Sequence, residues 1–452
     1  MDSTTPPRAS APTRSGDHHA HGAAATRPST GAPSAGGVGP HDAPRDLAGR
    51  GGSFLGAFTA TEWRALGPLC GVYGLRLLGM YMVLPVLSVY ARGLPGSTGF
   101  LTGMSIGIYG FTNMLLVLPF GALSDAVGRK RVIALGLGTF ALGSLLAAWA
   151  PTIHWLLAGR ALQGLGAVSS AVVALVGDVT RPEVRGRAMA LLGMSVAGAF
   201  AVGVIVGPTL AGEFGVPLLF LLMGVLSVAA LLLVLRVVPN PARILRDDEH
   251  EPRARNLRKV LLQPQLLKLD GGMFVIHLAL TGLFVVIPIL LDEFLPPYHL
   301  WRIYAPVIVL GMVVLFPAMN WAERAQAVER VLHAGIALFG AAFVALRLFG
   351  HELAGIVAGL ALFVVAFGLL EPTLTTLLTR FTTRETRGTA AGVFNMSGFL
   401  GAFVGGAVGG LLLERHEALF LALAVASVLW LAVAVRMRAG LAGDRSSGGD
   451  PA

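Results

Sequence analysis

Four ionisable side chains stand inside long apolar stretches of this chain: Arg76, Arg160, His277 and Glu371. A guanidinium in the middle of a hydrocarbon layer costs at least ~2.5–3.5 kcal/mol, so Arg160 must face a polar partner inside a helix bundle rather than lipid. Glu371 precedes Pro372, and a carboxyl desolvated there favours its neutral form and can load and release a proton near neutral pH. His277 titrates in that range without any perturbation. Each has a structural alternative: Arg160 as a hydrogen-bonder between helices, Glu371 as a permanently neutral acid, His277 as a bridge between helices. Arg76 and Gln163 are the polar candidates for lining a cavity.

Two further clusters are conformational rather than chemical. In Gly121-Ala122-Leu123-Ser124-Asp125-Ala126-Val127-Gly128-Arg129-Lys130 a carboxylate precedes basic groups by four and five residues, and the glycines permit a tight turn between apolar runs. Asp178 ends another run and can join the same charges, or face the start of a helix near Thr389, where the helix dipole favours an anion by ~0.3–1 kcal/mol. In the second cluster, Gly198, Gly203, Gly207, Pro208 and Gly212 share one run. Small residues at that spacing let helices approach closely, and Pro208 removes a backbone donor and kinks its helix.

Composition decides what holds these residues. The chain has 452 residues, 34 Lys and Arg against 25 Asp and Glu, and a net charge of +9, yet only 13% of it is charged, where a soluble domain carries roughly 25%. Apolar residues make up 54%, Gly contributes 59 residues, and the mean hydropathy is +0.72. These values exclude an ordinary soluble enzyme and fit a lipid environment. The basic residues sit between apolar runs and form no continuous face, which argues against nucleic acid. Cys70 is the single cysteine, so disulfides and cysteine zinc sites are excluded.

From Leu66 onward the sequence predicts twelve helix-spanning runs, near 66–91, 100–120, 132–150, 154–177, 188–212, 216–237, 268–291, 303–321, 331–349, 353–377, 389–413 and 418–437. Each is near the ~20 residues that a ~30 Å hydrocarbon core requires, and none alternates as a barrel strand would. The expected fold class is an all-α polytopic membrane protein with two six-helix pseudo-symmetric halves. Residues 1–60 read as a disordered cytoplasmic tail poor in large apolar side chains, and its Asp17, His18, His19 and His21 as a solvated stretch more readily than a metal site. Residues 61–237 form the first half, 238–267 a cytoplasmic linker, 268–438 the second half and 439–452 a short cytoplasmic tail.

Short loops set the orientation. Arg129, Lys130, Arg131, Arg181, Arg185, Arg187, Arg324, Arg330, Arg380, Arg384 and Arg387 crowd one side together with the basic linker, while Arg92, Arg302, Arg347 and Arg415 mark the other. The positive-inside rule then puts both termini in the cytoplasm. The halves also repeat: at an offset of 202, Arg185, Gly186, Ala188, Gly203 and Gly207 meet Arg387, Gly388, Ala390, Gly405 and Gly409. Such duplication marks a transporter whose substrate site lies between rocking halves.

At the Gly121 to Lys130 loop the chain resembles the major facilitator superfamily, whose signature G-x-x-x-D-[RK]-x-G-R-[RK] it follows except at Ala126. The resemblance implies a charge network of Asp125, Arg129 and Asp178 that latches the bundle on its cytoplasmic side, with Gly121, Gly128 and Lys130 shaping the loop. Gly159-Arg160-Ala161-Leu162-Gln163-Gly164 resembles a second family motif, in which the arginine is linked to proton transfer. Gly203-x3-Gly207-Pro208-x2-Ala211-Gly212 resembles a third, associated with proton-coupled antiporters, and departs at Ala211 and Met194. Leu75-Arg76 through Leu87, Ser105 through Gly110 and Phe363 through Glu371 look like the YajR-type subgroup of inner-membrane exporters. Some members of that subgroup carry a soluble C-terminal domain, which is not expected here because the chain ends about fifteen residues past its last run.

The leading reading is a secondary transporter in the cell inner membrane, a monomer that exports small amphipathic compounds against protons and needs no cofactor beyond a proton gradient. The alternatives are a proton-coupled uptake symporter and a transporter-like sensor that moves nothing. No P-loop, G-x-S-x-G or H-E-x-x-H motif points to an enzyme. Reporter fusions after Gly215 and after Glu417 are expected to read extracytoplasmic, and one after Asp248 cytoplasmic. The reverse pattern would invert the orientation.

Overall fold

The computed structural model describes residues 58–166, 168–238, 253–296, 299–325, 327–383 and 386–446. The N-terminal tail with Asp17, His18, His19 and His21, and the linker's Asp247, Asp248 and Glu249, lie outside the described residues. Within them the chain forms α1 (Ala60–Val83), α2 (Leu87–Arg92), α3 (Gly99–Val127), α4 (Arg129–Ala148), α5 (Ile153–Leu165), α6 (Ser169–Val179), α7 (Arg185–Phe214) and α8 (Val216–Arg236). A short α9 (Arg253–Leu261) precedes α10 (Pro264–Asp292), α11 (Trp301–Arg324), α12 (Val328–Phe349), α13 (Leu353–Phe381), α14 (Arg387–Leu411) and α15 (His416–Ser446). Twelve segments among the described residues are long and apolar enough to cross a membrane. Their outer faces carry large apolar side chains, such as Leu142, Val313, Phe316 and Val428, which suit lipid and no aqueous surface.

Two sequence runs are each divided. Pro85 separates α1 from α2 in the first. In the fourth, α5 stops at Leu165 and α6 begins at Ser169, with Gly166 capping the break. A break inside a membrane leaves backbone carbonyls to be satisfied by other groups. Glycine is needed there: a Cβ on Gly164 would lie 2.0 Å from Thr112 Oγ1, and one on Gly166 would lie 2.5 Å from the Gly136 carbonyl.

The repeat at an offset of 202 is a packing device. A Cβ on Gly203 would lie 2.8 Å from Tyr81 on α1, and one on Gly207 would lie 2.0 Å from the Met82 carbonyl. Their counterparts Gly405 and Gly409 would press on Leu278 and Gly282 of α10. In each half, therefore, the fifth span rests on the first through equivalent glycines. Gly198 and Gly212 are exposed, and a Cβ on Gly198 would meet nothing within 4 Å, so the expected packing set reduces to Gly203, Gly207 and Pro208. The helix runs from Arg185 to Phe214 through Pro208.

The halves meet where α3 packs along α14 and α7 against α11. The first seam is backbone against backbone at the end of the bundle opposite Gly128. A Cβ on Gly103 would sit 2.0 Å from the Gly406 carbonyl, one on Gly107 2.8 Å from the Phe403 carbonyl, and one on Gly99 2.7 Å from the Gly410 carbonyl. Arg92 and Glu414, both exposed, join the halves at that rim at 3.5 Å.

At the other end, Glu62 ties the start of α1 to the α6–α7 loop. It accepts from the Thr59 backbone at 2.8 Å in a capping box, and its Oε1 takes both Arg181 N at 3.0 Å and Arg181 Nε at 2.9 Å. That hydrogen bond to Glu62 raises the Arg181 pKa above the ordinary arginine range.

Gly103→Ala should destabilise the purified protein by about 1–3 kcal/mol through overpacking of the α3–α14 seam. Gly138→Ala is the matched control, since a Cβ there meets nothing within 4 Å, and its melting temperature in detergent should not fall.

Candidate functional site

Polar chemistry in the first half is concentrated on two arginines. Arg76 on α1 and Arg160 on α5 are each 3% exposed. Arg76 Nη2 donates to the Tyr109 hydroxyl at 3.0 Å and to the Gly166 carbonyl at 3.1 Å, so it covers the break between α5 and α6. Arg160 Nε donates to the Ser105 carbonyl at 3.0 Å and Nη1 to Gln163 Oε1 at 2.8 Å, and Gln163 Nε2 then donates to Ser144 Oγ at 2.8 Å. Tyr109 connects the two systems, with the Arg160 guanidinium 5.1 Å from its ring centroid. Arg76 lies over the Phe140 ring at the same distance. Desolvated guanidinium–ring contacts of this kind are favourable. Neither arginine has a carboxylate at ion-pair distance among the described residues; carbonyls, amides and rings solvate them.

Arg76 and Gln163, cavity candidates by sequence, are instead buried in this network. Tyr109 is the member that sequence reading does not single out. Its signal is present, because Ser105, Tyr109 and Asn113 recur every four residues on one face of α3, and Asn113 Nδ2 also donates to the Tyr109 hydroxyl at 3.2 Å.

The second half is built differently. It meets the first half around an apolar cavity lined by Phe200 and Val204 of α7 on one side and by Leu283 and Phe284 of α10, Tyr304 of α11, Phe363 and Phe367 of α13 and neighbouring aliphatic side chains on the other. No charged side chain lines it. His277 sits at its edge: the imidazole meets the Phe367 ring at 5.9 Å between centroids, and Nδ1 lies 3.2 Å from the Met273 carbonyl. Glu371 follows Phe367 by one turn on the same face of α13. It is half-buried, and its side chain makes no hydrogen bond or ion pair among the described residues. Pro372 lies inside the continuous α13 and denies the Gly368 carbonyl its usual donor.

The Gly128 loop forms the charge cluster named from sequence. Gly128 has φ 109°, a conformation that favours glycine, and separates α3 from α4. Arg129 pairs with Asp125, and its Nε meets Asp178 Oδ2 at 3.0 Å. Its Nη1 donates to Ser124 Oγ at 2.6 Å. Lys130 caps the end of α8, donating to the carbonyls of Leu235 at 3.0 Å and Val238 at 2.9 Å. Gly121 faces Ser170. The cluster belongs to the first half: Asp178 meets Arg129 rather than the start of α14, because Arg129 at the head of α4 reaches both carboxylates.

Sequence reading also passes over two buried carboxyls. Glu62 has a signal, the Thr59-x-x-Glu62 capping pattern. Asp270, 7% exposed on α10, has none, since it falls at the edge of its apolar run.

Residues 69–324 and 271–449 match the family model described as Major Facilitator Superfamily. The chain is 37% identical over 383 residues to the inner membrane transport protein YajR of Escherichia coli strain K12, covering 84% of each protein. It is 29% identical over 347 residues to the multidrug resistance protein MdtH of Proteus mirabilis strain HI4320, covering 74% of this chain and 82% of that one. A crystal structure of the nucleoside transporter NupG superposes with a TM-score of 0.68 at 14% identity, covering 82% of this chain and 99% of that one; that likeness concerns the fold.

Arg160→Leu strands the Gln163 amide oxygen, while the Ser105 carbonyl keeps its helical donor, and should lower stability by about 1–3 kcal/mol for the group left without a donor. Thermal melting of the purified variant in detergent checks this; a melt equal to the parent would show that the network does not hold α3 and α5 together.

Proposed function

The chain belongs to the Major Facilitator Superfamily, and from that footing we propose that this membrane-embedded secondary transporter exports small amphipathic compounds from a bacterial cytoplasm in exchange for protons. The observation that carries the reading is Glu371: a carboxyl within a membrane span, unpaired among the described residues and one turn from an apolar cavity that both halves line. A neutral acid fits the closed bundle at little cost. Its anion is tolerated only when water or a cationic group reaches it. Occupation of the cavity and protonation of Glu371 then compete for the same rearrangement, which is the requirement for antiport. The names of YajR and MdtH, an inner membrane transport protein and a multidrug resistance protein, support the location and the direction.

The remaining named residues take supporting roles in this scheme. His277 and Arg160 tune proton transfer, His277 through its contact with Phe367 and Arg160 by fixing Tyr109. Asp125, Arg129 and Asp178 stiffen the cytoplasmic end of the first half, so that its six helices move as one body against the other six. No cofactor takes part; the proton gradient drives the cycle and the protein acts as a monomer.

Proteoliposomes carrying an internal pH dye should show substrate-induced proton flux. Glu371→Gln, which imitates the loaded state, should reduce gradient-driven accumulation by at least about tenfold, roughly 1.4 kcal/mol of lost coupling, while leaving substrate exchange without net proton movement. His277→Gln should change rate or pH optimum and leave coupling intact. Full accumulation by Glu371→Gln would pass the coupling role to His277 or Asp270.

A further inference from the structure

The short α9 is unlike the spans. Its sequence, Arg253-Ala254-Arg255-Asn256-Leu257-Arg258-Lys259-Val260-Leu261, is strongly basic, and no Asp or Glu occurs from Arg253 to Leu269. The helical period puts Leu257, Val260 and Leu261 on one face and Arg258 and Lys259 on the other. Val260 is 1% exposed, and Leu257 packs beside it against the apolar core, where α9 meets α10 and α14. Arg258 and Lys259 are exposed. The turn continues past α9, with Leu262 N donating to the Arg258 carbonyl at 3.0 Å, and Leu261 and Leu262 stand out from the bundle at 44% and 66% exposure. Gln263 Nε2 then donates to the Phe381 carbonyl at 3.3 Å, which holds the exit of α9 against the end of α13. Arg380, next to that carbonyl, and Arg387, at the head of α14, are exposed as well.

We propose that α9 lies at the membrane surface and binds the phosphate groups of anionic phospholipids through Arg258 and Lys259, with Leu261 and Leu262 seated in the acyl region beneath them. Exposed leucines beside a row of cations suit neither bulk water nor hydrocarbon, but they match the boundary between headgroup and acyl chain. The leucines select the kind of partner. An acidic protein or a free phosphate would use the cations and leave the leucines in water, whereas a phospholipid occupies both. The cations select among lipids, because a zwitterionic headgroup presents its phosphate together with an ammonium and an anionic one presents it uncompensated. Leu257 and Val260 already seat α9 on the bundle, so no ordering of the helix opposes binding. The site stands apart from the cavity and from Glu371, and it does not depend on the transport reading.

The test uses the full-length protein in nanodiscs of phosphatidylcholine. Cys70 is the single cysteine and is buried; in a Cys70→Ala background, Leu262→Cys supplies one thiol for a bimane label. The quenchers are phosphatidylglycerol and phosphatidylcholine, each carrying a nitroxide high on one acyl chain and compared at the same small fraction of the bilayer. Both should quench the bimane, as Leu262 in the acyl region requires, and the phosphatidylglycerol should quench it several-fold more. Arg258→Gln combined with Lys259→Gln should cut that excess by about fivefold for each charge removed, and added salt should cut it in the parent. Arg415→Gln, which removes an exposed cation at the opposite rim, should leave the excess unchanged, with melting and gel filtration confirming that each variant folds. Absence of quenching by either lipid, equal quenching by the two in the parent, or an excess that survives loss of both cations would overturn the proposal. An excess abolished by inorganic phosphate and not by chloride at equal ionic strength would overturn it too, since free phosphate would then be the occupant.

Discussion

Two buried guanidiniums with no carboxylate at ion-pair distance among the described residues set the architecture of the first half. An isolated charge in hydrocarbon is tolerated only when polar groups replace its hydration, and Arg76 and Arg160 find theirs in the Tyr109 hydroxyl, the carbonyls of Ser105 and Gly166, and the Gln163 amide. That requirement explains features that look unrelated along the chain. The break after Leu165 releases a carbonyl for Arg76. Gly164 admits α3 close enough for Tyr109 to reach both arginines. Ser144 completes the chain from α4, so four helices share one polar core.

The second half uses the opposite material. Where α1 and α5 carry buried cations, α10, α11 and α13 carry aromatic rings around a cavity that Phe200 of α7 also lines, and the ionisable groups stand at its margin. The duplication seen at Gly203 and Gly405 therefore preserves how the helices pack and not what they enclose. The first half encloses a cross-linked polar block, whereas the second presents an apolar wall to a cavity that α7 of the first half closes. Membership of the transporter superfamily and this division of labour agree.

Much of this was legible in the residues. The twelve spans follow from the length of the apolar runs, and the glycine offset identified the pairs that touch α1 and α10. The Asp125 and Arg129 pair could be read from spacing four, and Asp178 from its place at the end of a run. Gly198 and Gly212 show the limit: a small residue fits either a tight interface or a lipid-facing surface, and spacing alone does not tell which. The apolar cavity was not legible, because every span is apolar all round and the inward subset depends on helix rotation. Arg76 and Gln163 were misplaced for the same reason, since polarity says that a side chain avoids lipid without saying whether a cavity or a packed core receives it. Tyr109 could have been found from its four-residue spacing with Ser105 and Asn113.

The glycine seam between α3 and α14 bears on how such a molecule moves. An interface of interdigitated side chains must unlock many rotamers before it separates, and each adds resistance and a loss of entropy on return. Gly99, Gly103, Gly107, Gly406 and Gly410 have no rotamers to unlock. The seam works as a smooth bearing, held by shape and by weak backbone contacts, while the Arg92–Glu414 pair at the exposed rim is the electrostatic catch. Salt screens an exposed pair of this kind. Resistance to separation at this seam is therefore set by backbone fit, a property fixed in the fold, and the strength of its rim contact by the ionic strength of the fluid that bathes it.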